Sequence, residues 1–367
     1  MECFLLRGRL QLAAVCSGLE AGLFGAGLLM IGLLLGSSAR AEPIRGAGST
    51  FAAPIIAKWA ENYRASRVDG GDFASPDWTV DYELVGSLAG VMRLDQPELD
   101  FAATDVPISH EELVKHGRQQ FPIVLGSVAV AVNLEGIAAG GLKLSGPVLA
   151  DIYLGKIQSW ADPAIKEINP DLQLPDVKIL PMYRKDGSGT THMFTQYLSS
   201  ASAEWKAGYG ADTLIAWPVG TGVEGTQDLV LAVKATRGAI AYAEYGQAER
   251  ANLAFAAILN RAGKFVSPGP EGVRAAQDAV DWSKAQDFAV SLTDQPGEAT
   301  YPICGATYAV VPIEGQSPGR YRRVHDYFRL AFDTGARDAE ALRYVPLSEP
   351  LVSEIKQYWL RQPAAGH

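Results

Sequence analysis

Apolar or alternating runs recur along this chain at Trp78 to Val85, Leu99 to Thr104, Ile123 to Val132, Val177 to Met182, Ala239 to Tyr245 and Ala306 to Ile313, with helix-period segments between them. That alternation limits the fold more than any other feature. A half-buried strand needs a covering layer, and a helix between successive strands supplies one, so the pattern predicts an α/β protein with largely parallel sheets. The helices leave signals of their own. Ile56, Trp59, Ala60 and Tyr63 make an i, i+3, i+4, i+7 stripe behind Pro54. Ser109 and Glu112 form a capping box ahead of Leu113, and Ser145 with Pro147 opens a helix running through Ile152 and Tyr153.

The first 41 residues stand apart. Ala21 to Leu35 is uncharged and rich in Leu and Gly, too short for the roughly 18 residues of a spanning helix, and it is followed by Ala39-Arg40-Ala41, a small-x-small cleavage pattern. Residues 1–41 therefore read as a secretory signal peptide cut ahead of Glu42. No Cys sits directly after the cut, which argues against a lipoprotein anchor. The remaining residues, 42–367, exceed the usual size of one core and predict two domains. Removing the leader takes away Arg7, Arg9, Arg40, Glu2 and Glu20, so the net charge moves from −9 to −10. Such an acidic body excludes nucleic acid as a partner, since that affinity rests on basic surface. Cys304 is left alone, with no internal disulfide possible, and reads as a small buried apolar residue. The closing residues, Leu360 to His367, are expected to fray.

Four junctions carry the chemistry. Gly46 to Phe51, Val85 to Gly90, Ala103 to Asp105 and Arg184 to Thr190 each follow a strand-like run, where α/β sheets bind ligands, and each presents small, hydroxylated or charged residues. The run RKDGSGTT, Arg184 to Thr191, is the most informative of them. Ser188, Gly189 and Thr190 are predicted to start a helix whose unpaired N–H groups and dipole favour an anion, while Arg184 adds a planar fork suited to phosphate or carboxylate. Phe194, Tyr197 and Leu198 supply that helix with an apolar stripe.

In order and spacing these segments closely resemble the phosphate-binding protein (PstS) family of bacterial phosphate-specific ABC transporters. The likeness covers nearly all of the mature chain, through GAGSTFAAPIIAKWAENY, DFAATDVPIS, DIYLGKIQSWADPAI, RKDGSGTTHMFTQYL, RGAIAYAEYGQA and the later DWSK. It implies a type II periplasmic binding protein fold, with two α/β domains, a central mixed sheet in each, and a two-strand hinge. Residues 42–130 plus 310–367 would form the first domain and 131–309 the second. It further implies a periplasmic monomer without cofactor that binds inorganic phosphate in the interdomain cleft and docks on membrane permease subunits driven by a cytoplasmic ATPase.

Carried over by position, the resemblance implies phosphate contacts from the Thr50 hydroxyl and backbone, the Phe51 N–H, Ser87, Ser188, Gly189 and Thr190, with Arg184 as the cation and Asp186 fixing that arginine. Asp105 matches an acidic residue that meets the ligand itself. A carboxylate aimed at an oxyanion makes sense when that anion keeps a proton to donate, as phosphate does at neutral pH and sulfate does not. Two departures stand out. Leu88-Ala89 follows Ser87 where relatives carry a further serine or glycine. Thr221 to Thr226, TGVEGT, carries Glu224 and reads as a solvated turn without a ligand contact.

The rival classes are a phosphatase-like enzyme with Ser188 or Thr190 as nucleophile, and a binding protein for another tetrahedral oxyanion such as sulfate. The enzyme lacks a base: the mature chain has His110, His116, His192, His325 and His367, in no metal-binding spacing. His192 reads as a solvent-facing or supporting residue beside the cradle. Asp105 argues against sulfate.

Overall fold

The computed structural model describes residues 43–66, 79–313 and 318–360. The leader and its cleavage site, Trp78, and the residues after Leu360 lie outside the described residues. The strands are β1 (Ile44–Gly48), β2 (Val80–Glu83), β3 (Phe101–Thr104), β4 (Arg118–Val132), β5 (Leu142–Leu144), β6 (Leu180–Arg184), β7 (Thr221–Val223), β8 (Ala239–Glu244), β9 (Ala254–Leu259), β10 (Phe265–Val266) and β11 (Cys304–Pro312). They are ordered β2-β1-β3-β11-β4-β8-β6-β7, with β9 branching from β4 and pairing β5 and β10. Helices fill most of the connections, as the alternation predicts. The chain has an α/β fold.

The expectation of largely parallel sheets needs correction. The pairs β1–β2, β1–β3, β6–β8, β6–β7 and β5–β9 are parallel, but every pair made by β4 or β11 is antiparallel, as is β9–β10. β11 enters from far along the chain, so no short helical crossover dictates its direction. It lies between β3 and β4 and runs against both.

β4 is the longest strand, with all 15 residues buried. From Arg118 to Ser127 it pairs with β11, and from Val128 to Val132 it pairs with β8. The described residues accordingly form one contact unit. Sequence reading starts this strand at Ile123 because Arg118, Gln119 and Gln120 are polar. Their burial is made affordable by partners: the Gln120 amide exchanges bonds with Ile108 N and O, both at 2.8 Å, and Arg118 Nη2 donates to Asp95 Oδ1 at 2.6 Å.

Helix signals are realised closely. The helix Ala53–Ser66 buries Ile55, Ile56, Trp59 and Tyr63, with Ala60 only half-buried. Ser109 and Ser145 each accept the amide three residues on, from Glu112 and Val148. The helix Gly189–Ala201 packs Phe194, Tyr197 and Leu198 inward. Phe194 stacks on Tyr242 of β8 at 4.5 Å between ring centroids, and Trp217 stacks on the same Tyr242 at 5.7 Å. Burial of each such ring contributes about 2–3 kcal/mol, so this cluster anchors the helix start against β8.

Candidate functional site

Local chain chemistry brings the four junctions together. β1 and β3 are adjacent parallel strands, so the loops after Gly48 and Thr104 leave the sheet side by side. Gly86 N donates to Gly48 O at 2.9 Å and holds the second loop against the first. Gly86 has φ +82°, and a Cβ there would meet Gly187 O at 2.6 Å, so glycine is required by both conformation and space. The fourth junction closes over these: Leu88 N donates to Gly187 O at 3.1 Å. A Cβ on Gly189 would come within 2.5 Å of Ser87 Oγ and 2.6 Å of Asp105 Oδ2.

Asp105, directly after β3, is buried and caps no helix; Ser109 does that for the next one. Its Oδ1 accepts from Ser49 Oγ and Thr307 Oγ1, both at 2.7 Å, and its Oδ2 accepts from Ser87 Oγ at 3.2 Å. Burial pushes its carboxyl above the ordinary carboxylate range, against the hydroxyl bonds and the charge of Arg184. Oδ2, with one donor against two at Oδ1, keeps lone-pair capacity toward the start of the Gly189 helix.

Arg184, at the end of β6, is 1% exposed. Its Nε donates to Asp186 Oδ1 at 2.6 Å, and its Nη2 bonds Asp186 Oδ2. Nη1 donates to Thr50 Oγ1 at 2.9 Å and to Thr226 Oγ1 at 3.0 Å. Four of the five guanidinium N–H groups are thereby used, and one on Nη2 remains. Burial works to raise the Asp186 carboxyl, but the Arg184 bonds and charge, with Gly225 N at 3.1 Å, hold it below the usual range. The Arg184 amide donates to Tyr242 OH at 3.0 Å, and that hydroxyl pairs with Thr191 Oγ1 at 2.7 Å, tying cation and helix start to one ring.

Around Asp105 Oδ2 and Arg184 stand donors without protein partners. The amides of Thr50, Ser87, Gly189 and Thr190 make no hydrogen bond among the described residues. Thr190 Oγ1 is buried and unpaired, and Ser188 Oγ accepts from Thr191 N at 3.3 Å while its own hydrogen stays free. Buried polar groups are rarely left so, and their convergence describes a cradle for a small oxyanion. An open cleft of about 1000 Å³ reaches this cradle at Thr50, Asp186 and Thr226.

Several sequence expectations change. Phe51 N, expected to meet the ligand, donates to Ser49 Oγ at 3.1 Å, while the buried ring lies against Tyr344 at 6.1 Å. The Thr221 to Thr226 segment is no solvated turn at its end, for Thr226 is buried and bonded to Arg184 and Thr50. Glu224 is exposed and pairs with Lys185 at 3.4 Å. Leu88 contributes through its backbone to Gly187, and its side chain is 40% exposed. His192 is half-buried, and burial pushes its imidazole below the ordinary value against Asp212. Cys304 is buried, its Sγ bonded to Tyr301 O at 3.0 Å.

Sequence reasoning missed Ser49, Thr226, Tyr242, Gln247 and Thr307. Ser49 lies inside a quoted motif, and Thr226 follows a glycine at a strand-to-helix junction, which are usable signals. Tyr242 and Gln247 also lie inside a family segment, RGAIAYAEYGQA, whereas Thr307 reaches the site through tertiary packing alone.

A family model described as a PBP superfamily domain matches residues 36–324. The phosphate-binding protein PstS of Xylella fastidiosa (strain Temecula1) is 38% identical over 316 residues, covering 86% of this chain and 84% of that protein. The phosphate-binding protein PstS of Pasteurella multocida is 38% identical over 320 residues, covering 87% and 90%. Among solved structures, a high affinity periplasmic phosphate-binding protein (PfluDING) superposes with a TM-score of 0.68 at 22% identity, covering 86% of this chain and 93% of that one. With likeness along nearly the whole length of both relatives and a matching fold, the chain belongs to the PstS family of phosphate-binding proteins.

Proposed function

We infer that this chain binds inorganic phosphate, without turning it over, as the substrate-binding component of ABC phosphate transport. The observation that carries the reading is the convergence of unpaired buried donors, from Thr50, Ser87, Ser188, Gly189, Thr190 and Arg184, around one oxygen of a buried carboxylate. Donors alone would take any small oxyanion. Asp105 adds the discrimination: a phosphate O–H donates to Oδ2, whereas sulfate has no hydrogen to give and sets an anionic oxygen against the remaining lone pair of Oδ2. Asp186 holds the guanidinium in plane, so its remaining N–H is aimed before the ligand arrives.

The two-lobe reading belongs here as well. One lobe comprises 42–130 plus 310–367 and the other 131–309, with β4 and the chain entering β11 as the crossings. The change of β4 partner between Ser127 and Val128 supports the first crossing. The pairing of β11 with β3 favours moving the second crossing to the start of β11, near Cys304. Closure of the lobes buries the anion. The exported chain acts as a periplasmic monomer and passes phosphate to a permease pair driven by a cytoplasmic ATPase. What supports the export is the sequence of residues 1–41 and the periplasmic description of a protein of the same fold.

The test is calorimetric titration with phosphate and sulfate beside a hydrolysis assay on a phosphate monoester. Phosphate binding without turnover and with sulfate excluded is expected. Absence of phosphate binding, or hydrolysis, would overturn the reading.

A further inference from the structure

Thr50 is gripped from two directions by side chains that the phosphate reading does not employ. Its Oγ1 accepts from Arg184 Nη1 at 2.9 Å and lies 2.8 Å from Thr226 Oγ1, which accepts from the same Nη1 at 3.0 Å. Its carbonyl accepts from Gln247 Nε2 at 3.1 Å, and the same amide reaches Phe51 O at 3.3 Å. Thr226 and Gln247 stand some two hundred residues downstream of Thr50, on the helices Thr226–Ala235 and Tyr245–Arg250.

Either hydroxyl can be the donor between Thr50 and Thr226, and each direction leaves one hydrogen of the triangle free. Arg184 Nη1 spends its two hydrogens on the two hydroxyls. When Thr226 donates to Thr50, both lone pairs of Thr50 Oγ1 are filled, and its one hydrogen is left to point away from both partners. A free threonine hydroxyl rotates among acceptors and donors. With Thr226 as the donor it is committed to donate outward, while Gln247 fixes the backbone that carries it.

We propose that Thr226 and Gln247 are positioning residues for anion binding, holding Thr50 as a pre-aimed donor and fastening its loop to the opposite lobe once the anion is in place. This rests on the phosphate reading above. Both residues act through Thr50 and need not touch the anion. The loss of either should therefore appear as faster release, with capture from solution little changed.

The experiment measures phosphate association and dissociation rates for wild type, Thr226→Val, Thr226→Ser and Gln247→Met, and for Thr226→Val in a Thr50→Val background. Thermal unfolding without phosphate verifies folding of each variant. Thr226→Val and Gln247→Met should each speed dissociation about tenfold, the loss of roughly one hydrogen bond, and Thr226→Ser should restore the wild-type rate. In the Thr50→Val background, Thr226→Val should change dissociation by less than about twofold, because the residue it acts through is gone. Unchanged dissociation in both single variants would overturn the inference. So would a full additive effect in the Thr50→Val background, which would mean that Thr226 acts through Arg184 or on the anion itself. Failure of the wild-type chain to bind phosphate would overturn the functional reading and this inference together, whereas wild-type binding with unaltered variants overturns this inference alone.

Discussion

Arg184 is the site residue whose loss should be felt most. Arg184→Ala removes the buried cation and leaves the half-buried Asp186 without it, so phosphate affinity should fall by at least about 1.5–3 kcal/mol, ten- to over a hundredfold, in a calorimetric titration. Asp105→Asn should behave differently. Donation from Ser49 and Thr307 at Oδ1 will orient the amide with its oxygen there, which puts the NH₂ at the Oδ2 position. Sulfate then meets a donor in place of a carboxylate lone pair, and the phosphate-to-sulfate preference should narrow about tenfold or more in competition titrations, with phosphate still bound. An unchanged ratio would remove Asp105 from the selectivity argument. Glu244 titrates in an accessible range: burial pushes it from 4.5 up to about 7, against the Gly246 and Gln247 amides and Arg250. A raised carboxyl contributes stability that is complete below its unfolded pKa of about 4.5 and lost as pH rises through about 7. Glu244→Gln stays neutral throughout. Its stability relative to wild type should therefore climb, by on the order of 3 kcal/mol, between about pH 4.5 and 7 in denaturant unfolding, and level off above. Arg184 and Ser188 were visible in the sequence because charge and hydroxyls stood beside glycines at a strand end, and Asp105 because a carboxylate follows a strand-like run inside a segment that carries the family resemblance. Thr307 was hidden, since it sits in a strand whose neighbours give no sign of which side chain reaches a distant loop, and Tyr242, though inside a family segment, is one apolar-looking strand residue among several.

Among the elements, the helix Gly189–Ala201 is the one most exposed to a small change. Gly189→Ala leaves an acceptable helix residue in place and should alter thermal unfolding little. The new methyl group would press on Ser87 Oγ and Asp105, so the helix start must retreat from the loops that carry them and phosphate affinity should fall at least tenfold by titration. Elements were legible where periodicity and caps agreed, as in this helix and in Ala53–Ser66. They were obscured where polar side chains are buried with partners, as at Arg118 to Gln120, or where alanine dilutes the apolar signal, as in β9. Strand direction was not legible at β11. An α/β alternation implies helical crossovers between parallel neighbours, and a strand returning from residue 304 obeys no such rule.

For the molecule as a whole, β4 has a mechanical consequence. One unbroken run of buried backbone serves as the middle of the sheet on which Asp105 and Thr50 depend and, further along, as the neighbour of the strand that carries Tyr242. Melting either half strips an edge from the other and exposes ladder bonds in the remaining half. Neither half should survive alone through a temperature scan, so scanning calorimetry of the phosphate-free protein should record a single endotherm whose calorimetric and van't Hoff enthalpies agree. Two separated transitions would mean that the halves unfold independently. Phosphate should then raise the melting temperature of the entire chain, so that an anion held by a handful of donors is sensed as far away as the last residues packed on that strand.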